Sequence, residues 1–147
     1  MASWEDVISS EPEFAAAVQR IFDAHKHKTI ATLRADGAPR ISGIEAEFTG
    51  GELTFGSMPG ARKGADLRRD PRFALHSPSV DPPEDDPSGW QGDAKIAGSA
   101  VATTSGDDAD FFRVDIAEVV LTRVGTPADH LVIQLWRPGH AITITRR

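Results

Sequence analysis

With 147 residues, 39% of them hydrophobic and 26% charged, the chain has the size and make-up of one soluble globular domain. A net charge of −6, from 22 acidic and 16 basic residues, argues against a general nucleic-acid binder, which carries a basic stripe. The absence of cysteine excludes disulfides, thiolate metal sites and cysteine catalysis, and no apolar run approaches the ~18 residues that a membrane-spanning helix needs.

Ser3 ahead of Glu5 and Asp6 predicts a helix start, with acids near the positive end of the helix dipole. This opening is acidic and amphipathic rather than basic, so no signal peptide is expected and a cytoplasmic location is the default. A second helix is expected over residues 12–24. Pro12 suits a first turn, and Phe14, Val18, Ile21 and Phe22 share one helical face.

From Thr29 the period changes to that of strands, expected at 29–33, 40–48 and 52–57, with a hairpin turn at Gly50-Gly51 between the last two. A glycine-containing loop over 58–64 leads into a short helix that runs to about residue 69, where Pro71 follows, and 72–76 forms the next strand. Residues 77–92 hold four prolines among acidic residues and read as a loop that covers a site or moves. Strands resume at 94–103, 112–123, 130–136 and 141–145, with a short helical turn around Asp107 to Phe111. Short strands with tight turns indicate a mostly β fold, an antiparallel barrel or sandwich with helices at its edge. We expect a single domain over 1–147, with N-terminal helices over 1–26 and the barrel over 27–147.

The segment Gly56-Ser57-Met58-Pro59-Gly60-Ala61-Arg62-Lys63-Gly64 carries the clearest chemical signal. A strand end passes through a loop into a helix that opens with two cations. Backbone N–H groups at a helix start attract anions, and Arg62 and Lys63 add charge-assisted hydrogen bonds. Two cations at a positive dipole end conflict unless an anion joins them. A solvated basic turn is the bland alternative. Glu45 and Glu47 lie two apart on one strand face, as a catalytic pair or as solvent-facing residues. His25 and His27 have no third ligand at metal spacing, and Ser42 and Ser57 lack a nucleophile-elbow context. Trp136, before the Arg137-Pro138-Gly139 turn, either stacks on an aromatic ligand or fills the core.

Taken in order, these pieces resemble the pyridoxamine 5'-phosphate oxidase-like proteins. Ala31-Thr32-Leu33-Arg34-Ala35-Asp36-Gly37-Ala38-Pro39 resembles the family's first hairpin, and Gly56 through Lys63 its Tyr-Thr-Asn-x-x-Ser-Arg-Lys phosphate loop. Leu67-Arg68-Arg69-Asp70-Pro71-Arg72 resembles the helix and Asn-Pro stop that follow, and Lys95-Ile96-Ala97-Gly98-Ser99-Ala100 the next strand. Trp136 and Arg146 stand at the spacing of a tryptophan and an arginine that contact the flavin. The resemblance implies a split antiparallel β-barrel, an FMN-binding homodimer with the cofactor at the subunit interface, and an oxidoreductase acting on a small molecule. Carried over, Arg62, Lys63 and Ser57 would hold the FMN phosphate. Ser42, Gly43 and Ile44 would pass beneath the ribityl chain and ring, and Trp136 and Arg146 would reach the flavin from the other subunit.

Departures limit the carry-over. Ala61 replaces a serine, Asp93 a flavin-contacting glutamine, Ser42 an arginine and Glu47 a lysine that binds the substrate phosphate. Ile142-Thr143-Ile144 stands in place of the substrate-gripping Arg-Leu-His, and the phosphate-binding helix is shortened to around Asp107 to Phe112. Losing several charge-assisted bonds of ~1.5–3 kcal/mol each argues against oxidation of pyridoxamine phosphate itself. Two alternatives accompany FMN oxidoreductase activity. One is a deazaflavin-dependent reductase, whose anionic tail would need basic residues such as Arg40, Arg68 and Arg69. The other is a non-enzymatic flavin store or sensor.

Overall fold

A computed structural model of the chain describes residues 1–103 and 110–147. Three helices, α1 (Trp4–Ser10), α2 (Pro12–Asp23) and α3 (Arg62–Arg69), accompany eight strands. The strands are β1 (His27–Leu33), β2 (Pro39–Thr49), β3 (Glu52–Ser57), β4 (Arg72–His76), β5 (Asp93–Ala102), β6 (Asp110–Val124), β7 (Leu131–Trp136) and β8 (Thr143–Arg146). All neighbours pair antiparallel in the order β3-β2-β1-β4-β5-β6-β7-β8, and a further β3–β6 pairing closes the first six strands into a barrel. Strands β7 and β8 extend from β6 beyond the closed part. The architecture is the split antiparallel barrel with peripheral helices that the sequence led us to expect.

The local rules act where the sequence placed them. Ser3 caps α1 by a reciprocal pair of bonds: its Oγ accepts from the Asp6 N–H at 3.2 Å, and its own N–H donates to the Asp6 carboxylate at 2.8 Å. Gly50 and Gly51 both take positive φ, the hairpin geometry that β-carbons oppose, and join β2 to β3. Phe14, Val18, Ile21 and Phe22 of α2 are all buried, and Trp4 and Phe22 both pack on Phe48 of β2, with ring centroids 4.5 and 5.9 Å away. Each such aromatic contributes on the order of 2–3 kcal/mol by leaving water.

Two expectations change. Asp110 and Phe111 belong to β6, because their backbones pair with Ser57 and Gly56 of β3 to close the barrel; the rest of the helical turn expected at 107–111 lies outside the described residues. The 77–92 loop is less irregular than expected and holds a 3-10 turn at Pro87–Gly89. Ser88 Oγ ties it to the Gly125 carbonyl at 2.6 Å, and the Trp90 indole N–H donates to the Val80 carbonyl at 2.6 Å. No helix among the described residues is long and apolar enough to cross a membrane.

Candidate functional site

The outer face of the β2–β3 hairpin forms the floor of a cleft of about 650 Å³. Alternation explains its make-up. On β2, Ile44 and Ala46 point into the core while Gly43, Glu45 and Glu47 point out. On β3, Leu53, Phe55 and Ser57 are buried, and Thr54 and Gly56 face the opposite way. A β-carbon on Gly43 would meet no atom within 4 Å, so this part of the floor is open backbone. At Gly56 a β-carbon would lie 3.1 Å from the Phe111 ring, which stands over that glycine as a side wall.

One end of the cleft is the start of α3. The N-cap, Ala61, has no hydrogen-bonding side chain, so no side chain caps the first-turn amides of this helix. Lys63 extends over the floor and its Nζ donates to the Gly43 carbonyl at 3.0 Å. The Ser57 hydroxyl lies against the first turn of α3, 3.3 Å from where a Gly64 β-carbon would stand. The Asp110 carboxylate, paired with Arg68, lies at the same turn, 2.8 Å from that β-carbon position, and the Ser57 hydroxyl donates to the Met58 carbonyl at 3.4 Å. The uncapped helix start, Lys63 and Ser57 border this end of the cleft and are the donor types that suit a phosphate monoester.

A buried carboxylate fixes the helix in place. Asp66, 2% exposed, accepts from Thr32 Oγ1 at 2.8 Å, Arg40 Nε at 2.7 Å and Arg69 at 3.0 Å. Burial pushes its pKa up, but the hydrogen bonds from Arg40, Thr32 and Arg69 outweigh burial and bring it from 3.8 down to about 2. Arg69 also donates to the Leu33 carbonyl at 2.8 Å, so the knot joins α3 to β1 and β2. Arg68 pairs instead with Asp110 of β6. The three arginines considered for a long anionic tail are therefore all engaged within the chain.

Of the eight residues that the sequence singled out, Gly43, Ile44, Ser57 and Lys63 line the cleft. Ile44 contributes its backbone edge, since its side chain is buried. Ser42 is half-buried and does not line the cleft, and Arg62 is exposed beside Lys63 on the first turn of α3. Arg146 is exposed on β8, paired with Val132 and outside the cleft walls. Trp136 requires a correction. It is 2% exposed, and its indole N–H donates to Ser10 Oγ at 2.9 Å. Within this chain the ring is part of the buried core rather than of the cleft wall.

Sequence reasoning missed His27, Thr54 and Phe111 as cleft residues. The period-2 alternation of β3 would have found Thr54. Phe111 carries no local signal, because only the long-range β3–β6 pairing brings it to Gly56. His27 was weighed as a metal ligand, whereas its Nε2 lies 3.3 Å from Glu45 Oε1. None of the residues of the 77–92 loop lines the cleft; the loop instead covers an apolar hollow against Ile21 of α2 and Ala24, its C-cap. Asp93, at the start of β5, faces His76 at 3.7 Å.

The family model described as pyridoxamine 5'-phosphate oxidase matches residues 14–130. No curated protein matches the chain. Among solved structures, a pyridoxamine 5'-phosphate oxidase-related, FMN-binding protein from Nostoc punctiforme PCC 73102 has a TM-score of 0.67 at 10% identity, over 100% of this chain and 97% of that one. PhzG from Burkholderia lata 383, solved with tetrahydrophenazine-1-carboxylic acid, has a TM-score of 0.65 at 12% identity, over 96% and 91% of the two chains. A structure named as an F420 reductase has a TM-score of 0.52 at 16% identity, over 69% and 94%. At such identities the likeness is one of fold.

Proposed function

The chain belongs to the pyridoxamine 5'-phosphate oxidase family, and from that premise we propose that it is an FMN-dependent oxidoreductase that acts on a small molecule other than pyridoxamine phosphate. The observation that carries this reading is the uncapped start of α3, with Lys63 and Ser57, at one end of the glycine-floored cleft. Lys63, Ser57 and the first-turn amides would hold the FMN phosphate, with Arg62 adding charge from the exposed side. Gly43 and the Ile44 backbone would let the ribityl chain lie flat. When bound, the flavin supplies hydride chemistry, and the protein supplies position, exclusion of water and electrostatics.

The engagement of Arg40 and Arg69 by Asp66, and of Arg68 by Asp110, favours FMN over a deazaflavin with a long anionic tail. Glu47 on the cleft floor opposes a second phosphate, which supports a substrate other than pyridoxamine phosphate. We further propose a homodimer in which the partner completes the open side of the cleft. The exposed Arg146 on the strand pair β7–β8, which projects beyond the barrel, supports that assembly.

The test begins with the absorbance spectrum of the purified protein and fluorescence titrations with FMN and a deazaflavin. Tight FMN binding that is lost in the double variant Arg62→Ala/Lys63→Ala, with the melting temperature retained, is the expected result. Unchanged affinity in that variant would remove the phosphate assignment. Reduction of the bound flavin by NADH or NADPH, followed by turnover with an acceptor, distinguishes an oxidoreductase from a flavin store or sensor.

A further inference from the structure

Helix α3 has little of its own to hold it. Its 8 residues make about two turns, a length that is marginal in water, and Leu67 is the one large apolar side chain it buries. Its place over the cleft therefore depends on polar attachments. Asp66 Oδ2 accepts from Thr32 Oγ1 and Arg40 Nε together, at 2.8 and 2.7 Å. Thr32 and Arg40 are register partners of the β1–β2 ladder, so the carboxylate docks on one rung of the sheet. Arg68, ~200° around the helix from Asp66, pairs with Asp110 of β6 and neutralises that acid beside Gly64. The helix is thus held on two opposite flanks.

Helix α3 and strand β2 meet again at the ligand end. Lys63, three residues before Asp66, reaches the carbonyl of Gly43, three residues beyond Arg40. The Arg40–Asp66 bond therefore sets how the start of α3 stands over the floor. Hydrogen bonds to an anion work over about 2.7–3.2 Å, so a slip of about 1 Å at α3 removes them. Stability alone does not call for such a knot, because apolar side chains of similar volume hold a fold as well as a buried ion pair does. What they lack is direction.

We propose that Asp66 is a positioning residue for the α3 end of the cleft: through Arg40 and Thr32 it locks α3 in register with β2, so that Lys63 and the first-turn amides meet a phosphate group at bonding distance. This rests on the cofactor reading only in taking that phosphate to be the one of FMN.

Two variants separate positioning from stability. Asp66→Asn removes the charge, and Asp66→Leu/Arg40→Met replaces the knot by apolar side chains. FMN is titrated by fluorescence, and inorganic phosphate by the NMR shifts of the α3 amides, at a temperature where each protein is folded. Melting is followed by circular dichroism, and amide hydrogen exchange is measured without ligand. Asp66→Asn is expected to weaken both probes about tenfold or more and to speed exchange in α3 by a similar factor, with the β5 and β6 amides still protected. The double variant should regain the wild-type melting temperature but not the affinity. Wild-type affinity in Asp66→Asn, or affinity that returns together with the melting temperature in the double variant, would overturn the proposal and leave the cofactor reading intact. Asp66→Asn alone decides if the double variant does not fold. A wild type that binds phosphate but not FMN overturns the cofactor reading instead, and positioning is then read from phosphate. Binding of neither probe overturns both.

Discussion

Replacing Gly43 by valine separates the cofactor site from the fold. The position sits within β2, paired with Thr29 of β1, and takes ordinary strand geometry, since its φ is not among the positive ones. A β-carbon there would meet nothing within 4 Å. The fold therefore has room for the new β-carbon, and valine removes the entropic penalty of a strand glycine, worth roughly 0.5–1 kcal/mol. The branched side chain also suits a strand. Together these predict a melting temperature unchanged or raised by about 2–4 °C. A ligand resting on the glycine floor sits about 3.5–4 Å above it, and the valine methyls occupy that layer. A flavin must then lift off or leave, which should weaken FMN by at least about a hundredfold, ~3 kcal/mol. Fluorescence titration with FMN measures the affinity, and thermal unfolding followed by circular dichroism measures the fold. Wild-type FMN affinity in Gly43→Val would refute the claim that the ligand lies across this floor. A sharp fall in melting temperature would refute the claim that the space above Gly43 is free.

Other changes read other parts of the argument. The Asp66 carboxylate titrates lower in the folded chain, at about 2, than its ordinary 3.8. Its contribution is thus fully present above pH ~4 and lost as the pH falls through about 2. Urea unfolding of the wild type should weaken between those values by more than that of Asp66→Asn. At neutral pH the same variant, which leaves Arg40 and Arg69 without their acid, should lose about 2–4 kcal/mol; equal midpoints would show that the knot contributes nothing. Trp136→Phe keeps most of the buried ring but abandons Ser10, and should cost about 1–2 kcal/mol in urea with FMN affinity unchanged. A selective loss of FMN affinity would restore Trp136 to the cofactor site. Ser3→Ala removes the capping acceptor of α1 and should cost about 1 kcal/mol by thermal unfolding.

Much of the fold was legible because its signals are local. Helical spacing of Phe14, Val18, Ile21 and Phe22, the capping residues around Ser3, the Gly50-Gly51 turn and the alternation along β2 and β3 each act within a few residues. They place elements without knowledge of the rest of the chain. The α3 end of the cleft was legible for the same reason: a strand end, a loop and a helix start adjoin in the sequence, and Ser57 and Lys63 line one cleft.

What lay beyond the sequence depends on which strand meets which. Strand β6 pairs with both β5 and β3, and that closure turns Asp110 and Phe111 from an expected turn into a strand and sets Phe111 over Gly56. Arg40 lies 26 residues from Asp66 and Thr32 lies 34 residues from it, so no spacing rule announces that their bonds will consume the charge of Arg40 and bury Asp66. Trp136 is similar: the same residue type suits a ligand wall or a core, and only its approach to Ser10, 126 residues earlier, settles it in the core. The sequence by itself determined most of the elements and the alternation of β2 and β3, because those follow from short-range sterics and the periods of helix and strand. The tertiary structure alone decided which charges stay free and which rings stay exposed, because burial and pairing depend on residues that meet only after the barrel closes.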